Sequence, residues 1–219
     1  MALTTYATLQ TAIGDWLNRT DLTSAIPDFI QMAEAQFQRS IRHRKQITRS
    51  TATLDQRYNA TPADWIQSVS LILTTDPVTA LEYVTQEAMN TLRAGSSGTA
   101  KPKYFTMVGT ELELYPSPSG TFSGELVYYA TIPPLSDTNT SNWLLDLSPD
   151  IYLYGSLLQS APYLQDDARL GVWGGMYEKM VEDMNISNER SQGKPSLKMK
   201  AAAMPYAVPY THPNLPQTP

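Results

Sequence analysis

The stretch KYFTMVGTELELYPSPSGTFSGELVYYAT, residues 103–131, decides the fold class, because it carries the clearest strand signal in the chain. Residues 103–108 and 111–115 flank Gly109 and Thr110, a pair typical of a hairpin turn. Residues 125–131 alternate in polarity, which predicts a third strand. We therefore expect an antiparallel meander with one packed face and one solvated face.

Further strand signals lie upstream of this stretch. Residues 48–54 are rich in β-branched side chains and residues 64–74 carry Trp65 near their start, so each predicts a strand. Residues 80–93 predict a short helix or an irregular connection, and the glycine and serine of residues 94–101 indicate an exposed loop. The middle of the chain is therefore expected to be β-rich.

Two helices are predicted before the sheet. The first covers residues 4–18, and the second covers residues 24–45, with Pro27 in its first turn, where a missing N–H costs nothing. Apolar side chains recur three to four positions apart, which indicates one buried face on each helix. These faces are Tyr6, Leu9, Ile13 and Trp16 in the first helix, and Ile26, Ile30, Ala33, Phe37 and Ile41 in the second.

Two more helices are predicted after the sheet. Ser148 is expected to cap the first of them, Pro149 takes its first position and Pro162 ends it. The second covers about residues 165–190. The expected apolar stripes are Ile151, Tyr154, Leu158 and Ala161 in the first helix, and Ala168, Val172, Met176, Met180 and Met184 in the second.

The order of helices, sheet and helices predicts an α+β fold. We expect a helical bundle built from the N- and C-terminal helices, with an inserted antiparallel β-sheet domain and an extended, proline-rich C-terminal arm. The boundaries are residues 1–46 and 136–192 for the bundle, residues 47–135 for the sheet domain and residues 193–219 for the arm.

The composition offers little chemistry. The 219 residues include no cysteine and only two histidines, His43 and His212, which excludes thiolate and multi-histidine metal sites. The motifs HExxH, GxSxG, GxxxxGK[ST] and GxGxxG do not occur. No spacing singles out a catalytic pair among the carboxylates. Those weighed for such a pair are Glu111, Glu113 and Glu125 on strands and Asp146, Asp150, Asp166 and Asp167 near helix starts. We predict no catalytic residue, no cofactor and no bound metal.

Two segments are candidates for contact with a neighbouring copy or another partner. A basic cluster within residues 39–49 either opposes the negative end of a helix dipole or binds an acidic partner or phosphates, and His43 within it is expected on the surface. The last 19 residues contain five prolines, so they cannot continue a helix or a central strand. The candidate contact residues are Arg39, Arg42, Arg44, Lys45 and Arg49 in the cluster, and Met204, Tyr206 and Tyr210 in the arm.

Charge and hydropathy exclude other classes of protein. The net charge of −5 argues against a dedicated nucleic-acid binder. No apolar run approaches the 18 or so residues that a membrane span requires. The N-terminal sequence has no basic start and no uninterrupted apolar region, so we expect no signal peptide, and synthesis in a cytoplasm.

Five stretches carry a resemblance to a known family, in pattern and order over about residues 4–190. They are RYNATPADWIQSVSLIL (57–73), ALEYVTQEAMNTL (80–92), KPKYFTMVGTELELYPSPSG (101–120), GELVYYATIPPLSD (124–137) and NWLLDLSPDIYLYGSLLQSAPYLQDDARLGVWGGMYEKMVEDMN (142–185). The chain resembles the head-to-tail adaptor family of tailed bacteriophages, which includes the tail tubular adaptor of short-tailed phages. None of these stretches is a catalytic motif.

The resemblance implies a structural virion protein, made in the host cytoplasm and placed at the capsid vertex. Such proteins form a ring, typically of twelve copies, that binds the portal on one side and tail, nozzle or fibre proteins on the other. Genomic DNA passes through the lumen without specific binding. Twelve copies at −5 would carry about −60 charges, which repels passing phosphates if enough of them face the lumen.

Three alternatives remain open at this point. Another tail component, such as a baseplate or fibre-attachment protein, would contact tail proteins but not a portal. A carbohydrate-binding or carbohydrate-active module would use the tyrosine-rich sheet together with two carboxylates. A DNA-binding protein acting through residues 39–49 would show a steeply salt-dependent duplex affinity.

Overall fold

Two helices begin the fold in a computed structural model that describes residues 3–96, 98–164 and 168–191. Helix α1 covers Tyr6–Leu17 and helix α2 covers Ile26–Ser40. Thr5 and Thr8 form a reciprocal capping box that satisfies amide groups at the start of α1. The predicted apolar face of the second helix is confirmed, because Ile26, Ile30, Ala33, Phe37 and Ile41 are all buried.

The structure corrects two details of these helices. Trp16 is 44% exposed and meets the Tyr154 ring edge-on at 5.6 Å, while Leu17, one position further, turns into the core. The second helix ends at Ser40 and not at Lys45, because Ile41 adopts an extended backbone. A single 3-10 turn at Arg44–Gln46 then leads into the sheet.

Nine strands and one helix occupy the middle of the described chain. The helix, α3, covers Gln86–Gly95 and is capped by the Thr85 side chain. The strands are β1 Ile47–Leu54, β2 Tyr58–Ala60, β3 Trp65–Leu73, β4 Thr79–Tyr83, β5 Thr99–Ala100, β6 Tyr104–Val108, β7 Glu111–Tyr115, β8 Ser117–Pro118 and β9 Phe122–Ala130. The segment 80–93, predicted as a helix or a connection, therefore holds part of a strand as well as a helix.

Seven strands form one sheet in the order β1-β9-β3-β4-β6-β7-β2. The predicted hairpin is confirmed in β6 and β7, where Gly109 at the turn has a φ of 61° that glycine adopts without strain. The predicted three-stranded meander is wrong. Strand β9 pairs with β1 and β3, where Leu126 and Tyr128 join the sheet core, and not with β7. The sheet is mostly antiparallel, but β4 and β6 run parallel.

Three helices follow the sheet, and they pack on the first two. Helix α4 covers Trp143–Leu147, α5 covers Pro149–Gln159 and α6 covers Arg169–Ser191. Ser148 does take the N-cap position of α5, although its side chain forms no capping hydrogen bond. Of the predicted stripe of α5, Ile151 is buried, Tyr154 and Leu158 are only partly buried, and Ala161 lies beyond the end of the helix. The buried positions of α5 also include Tyr152, Leu153, Gly155, Ser156 and Leu157. A Cβ at Gly155 would meet the Phe37 ring at 2.7 Å, so this glycine allows α2 and α5 to approach closely.

The described residues form two hydrophobic cores. One is built from α1, α2, α4, α5 and α6 together with Ile132 and Leu135, so helices from both ends of the chain contribute to it. The other lies on the sheet and includes Leu54, Leu71, Leu114 and Leu126. The fold is therefore α+β, as the sequence predicts.

A buried polar network joins α2 to the segment that returns from the sheet. Glu34 Oε1 accepts hydrogen bonds from the Leu135 amide at 2.8 Å and the Tyr152 hydroxyl at 3.0 Å. Asn142 Nδ2 donates to the same hydroxyl at 2.6 Å and to the Pro133 carbonyl at 2.7 Å. Burial raises the pKa of Glu34, although its two hydrogen bonds oppose the shift. These contacts fix α2, α4 and α5 to the segment that leads from β9 to α4.

Glu34→Ala should lower the free energy of unfolding by about 2–5 kcal/mol, because the Leu135 amide and the Tyr152 hydroxyl both lose a buried partner. Glu34→Gln, which keeps an acceptor at the same place, should cost clearly less. Urea denaturation at neutral pH measures both values. Equal losses in the two variants would show that the hydrogen bonds do not matter.

The raised pKa of Glu34 also predicts a pH dependence. A folded carboxyl that holds its proton more tightly than the unfolded one favours folding below the unfolded pKa, near 4.5, and this contribution disappears as the pH rises through the folded pKa. Glu34→Gln carries no such proton, so the stability of the variant relative to the wild type should increase from pH 4 to pH 7. A stability difference that stays constant over this range would contradict the shift.

Candidate interaction surfaces

The basic cluster lies where the chain leaves α2 and enters the sheet. Arg39 lies in the last turn of α2, the segment from Ile41 to Gln46 crosses to β1, and Arg49 lies on β1. Asn188 of α6 fixes this crossing, because its Oδ1 accepts from the Arg44 amide at 2.9 Å and its Nδ2 donates to the Arg42 carbonyl at 3.0 Å. The crossing is thus held against the last described helix.

The five basic side chains have different roles. Arg42 Nη1 donates to the Gln38 and Ile41 carbonyl oxygens, each at 2.7 Å, and so satisfies carbonyls at the end of α2. Arg49 pairs with Glu125 of the neighbouring strand at 3.1 Å. Arg39, Arg44 and Lys45 are exposed and form no ion pair within the described ranges. The structure therefore leaves three of the five cationic groups available to a partner.

His43 does not lie on the surface, contrary to the sequence prediction. It is only 7% exposed, and its ring stacks on Trp143 at 5.3 Å. Its Nδ1 accepts a hydrogen bond from the Lys45 amide at 3.2 Å. Burial lowers the pKa of His43, and the neighbouring Arg44 and Lys45 lower it further. The uncharged imidazole is therefore a structural part of the turn that presents the exposed cations.

A groove of about 350 Å³ lies beside the cluster. Arg44 and Lys45 line one part of it, while Asp150 of α5 and Asp183 of α6 also line it. The carboxylates offset the cations, so the groove lacks the uniformly positive field that attracts phosphates. This arrangement favours contact with a surface of mixed charge over contact with DNA.

Two of the three glutamates predicted on strands, Glu113 and Glu125, have side-chain partners in the structure. Glu113 is buried and accepts from Arg93 at 3.0 Å and from Gln86 at 3.3 Å, which ties α3 to β7. Glu125 pairs with Arg49. A second groove of about 260 Å³ lies on the sheet, and it is lined by small or aliphatic residues with no carboxylate and no aromatic ring. A glycosidase-like pair of carboxylates flanked by tyrosines is not assembled in this groove.

An apolar part of α6 is exposed, although the sequence predicts it in the core. The predicted stripe places Val172 and Met176 in the core, but they are 58% and 41% exposed. Trp173 and Tyr177, one position later in each case, are buried instead. A signal was present, because these aromatic residues are also four positions apart. Gly171 and Gly175 on the same helix have open space where a Cβ would lie, so a neighbouring surface could approach the backbone closely.

The remaining predicted contact residues are not described by the structure. Met204, Tyr206 and Tyr210 lie outside the described residues, as do Asp166 and Asp167. Within residues 3–96, 98–164 and 168–191, no three His, Asp or Glu side chains come together to hold a metal ion. In the same ranges no helix is long and apolar enough to cross a membrane.

Comparison with known proteins gives one family. The family model described as SU10 adaptor protein matches residues 4–199, which is most of the chain. No curated protein matches the chain.

Substitutions in the basic cluster should separate structural from exposed cations. Arg42→Ala removes two hydrogen bonds at the end of α2 and should cost about 1–2 kcal/mol of stability. Arg39→Ala and Arg44→Ala, which remove exposed side chains, should stay within about 0.5 kcal/mol of the wild type. Chemical denaturation of the three single variants checks this order, and equal losses would refute the assigned roles.

Proposed function

We propose that this chain, which belongs to the SU10 adaptor protein family, assembles as a ring of twelve copies between the portal and the tail of a phage. The family is one of phage head-tail adaptors, so the chain is a structural virion component of the head-tail junction. The match over residues 4–199 is the observation that carries the proposal. Four parts of the proposal go beyond this family match: the ring, its copy number, its DNA conduit and the lack of catalysis.

The exposed apolar face of α6 supports an assembly. Val172 and Met176 lie one helical turn apart on the exposed side of α6, next to the face that buries Trp173 and Tyr177. Such residues lose contact with water when a second surface covers them, which provides the driving force for association. A closed ring joins one patch to a different patch on the next copy. We assign the α6 face to one side of that interface.

We propose a separate role for each hydrophobic core and for the arm. The helices of residues 1–46 and 136–192 form the body of the ring, and residues 47–135 form the inserted sheet domain. We assign the arm, residues 193–219, to contact with a neighbouring copy or the portal through Met204, Tyr206 and Tyr210. Contacts to the portal or to tail, nozzle or fibre proteins come from the exposed cations where the chain crosses from α2 to β1, which are Arg39, Arg44 and Lys45.

The acidic charge fits a conduit for DNA. Each phosphate that is held by a cation must be released again as the genome moves, so a conduit should hold few of them. Twelve copies at −5 give about −60 charges for the ring. In addition, Asp150 and Asp183 lie in the same groove as Arg44 and Lys45. We therefore propose that DNA passes without specific binding.

Native mass spectrometry of the chain, alone and mixed with the portal protein of the same phage, tests the proposal. We expect a complex in which twelve copies are bound to the portal. A chain that ignores the portal but binds purified tail proteins would instead indicate a baseplate or fibre-attachment protein. A chain that stays monomeric with every partner would contradict the adaptor role in this form.

Val172→Glu should reduce ring formation on the portal by about tenfold or more, because it places a charge in an apolar contact. Val78→Glu is the matched control, since Val78 is 63% exposed and lies outside α6. Both variants should keep the wild-type melting temperature. A Val172→Glu ring that forms normally would exclude the α6 face from the interface without affecting the adaptor proposal.

A further inference from the structure

Among the described residues, the sheet has two unpaired edges beside one groove. Strands β1 and β2 are the outermost strands of the seven-stranded sheet. Ser50, Ala52 and Leu54 of β1 line the 260 Å³ groove, and Ala60 of β2 lines it as well. A further strand along the free edge of β1 would therefore lie at the mouth of this groove.

Strand β1 has the features of an edge that accepts another strand. Within the described residues it pairs only with β9, through eight residues in continuous register. Its sequence, ITRSTATL, contains no proline and one charge, Arg49, which is drawn towards Glu125 on β9. Natural edge strands normally carry prolines, lysines or bulges that prevent further pairing. The open edge of β1 lacks these protections.

The groove has room for large apolar side chains. Its lining combines the buried leucines Leu54, Leu71, Leu112 and Leu126 with the small residues Ser50, Ala52, Ala60 and Gly124. A Cβ at Gly124 would overlap the Leu54 side chain, so the present packing of Leu54 depends on glycine there. Small residues beside large apolar ones leave space that the bulky side chains of a partner can fill.

The sequence of the arm has the alternation that a strand on this edge would require. Its prolines at 205, 209 and 213 are separated by even intervals. In an extended strand, successive residues direct their backbone groups to opposite edges, so these prolines all fall on one edge. Residues 206, 208, 210 and 212 keep their N–H groups for the other edge. The same alternation places Met204, Tyr206, Val208 and Tyr210 on one face.

The end of α6 lies close to the start of β1. Asn188 bonds the Arg42 carbonyl and the Arg44 amide, and Ser191 lines a groove together with Arg44. Strand β1 begins three positions after Arg44. The thirteen steps from residue 191 to residue 204 span up to about 43 Å at 3.3 Å each, whereas β1 is only about 25 Å long. The arm can therefore reach β1 of its own chain in either direction.

We propose that residues 204–210 of the same chain add to the free edge of β1 in the unassembled protein, with Tyr206, Val208 and Tyr210 directed into the sheet groove. The pairing goes beyond the proposed function, because it concerns the chain before it meets a portal. Main-chain hydrogen bonds to β1 hold the segment, and the side chains in the groove determine its register. A neighbour or portal that takes the arm then competes with this intramolecular site.

Disulfide trapping tests the proposal in the full chain, which has no cysteine of its own. Ala52→Cys is combined in turn with a cysteine at 206, 207, 208, 210 or 211, and each double variant is oxidised with oxidised glutathione at low protein concentration. Non-reducing gels measure the rate and the size of the product. We expect monomeric disulfides that form about tenfold faster at 206, 208 and 210 than at 207 and 211.

A proline pair provides the matched control. In the Ala52→Cys/Tyr206→Cys background, Val208→Pro removes an N–H from the pairing edge and should slow trapping about tenfold, whereas Ala207→Pro removes one from the free edge and should have little effect. Equal rates at all five positions, or the absence of monomeric disulfide, would overturn the proposal. A ladder of linked chains would assign the groove to the arm of a second copy. Each result is independent of the portal experiment, so failure here leaves the adaptor role untouched.

Discussion

The fold depends on one buried carboxylate at the point where the chain returns from the sheet to the helices. Glu34 of α2 accepts hydrogen bonds from the amide of Leu135, which lies 101 positions later in the chain, and from the hydroxyl of Tyr152 on α5. A charge or a polar group in such a place is costly unless its hydrogen bonds are satisfied, so the returning segment has only one arrangement that satisfies them. The neighbouring Gln38 adds two more bonds, because its amide both donates to and accepts from the backbone of Ile132.

The segment that leads from α2 into β1 is also fixed by side chains of the helices. Asn188 of α6 bonds the backbone of Arg42 and Arg44, and the His43 ring stacks on Trp143 of α4. Because both crossings between helices and sheet are held by side chains of the helical core, the sheet is attached as one unit and not through free linkers. An adaptor must hold two sets of partners in a fixed relation. In the proposed role, the two hydrogen-bonded crossings would hold the helices and the sheet in one arrangement without a disulfide.

The sequence predicts what local periodicity determines, and fails where distant residues decide. The apolar face of α2 and the hairpin at Gly109 follow from spacing and turn chemistry, and both are present. The partner strands of β9 could not be deduced, because strand order depends on contacts between segments far apart in the chain. His43 is buried by Trp143, one hundred positions away, and nothing near His43 signals this. In α6, a repeat of exactly four drifts around a helix of 3.6 residues per turn, so Val172 and Met176 face outward although Met184 is buried. The basic cluster looked like one patch because its residues are adjacent in sequence, but a change from helix to strand directs them to different partners.

The unpaired edge of β1 poses a related problem for assembly. A chain that must wait for a portal exposes its edge strand meanwhile, and such edges pair with other chains indiscriminately. An arm that covers the edge of its own chain removes this hazard at little entropic cost, since the tether keeps the effective concentration high. Transfer of the arm to a neighbour in the ring would then replace one set of contacts by an equivalent set, as in domain swapping, so the exchange itself would be nearly neutral in free energy. The net drive for assembly would come from surfaces that have no partner within the described chain, above all the apolar face of α6. On this argument the arm controls when the chain assembles, and the helical body determines how strongly it does so.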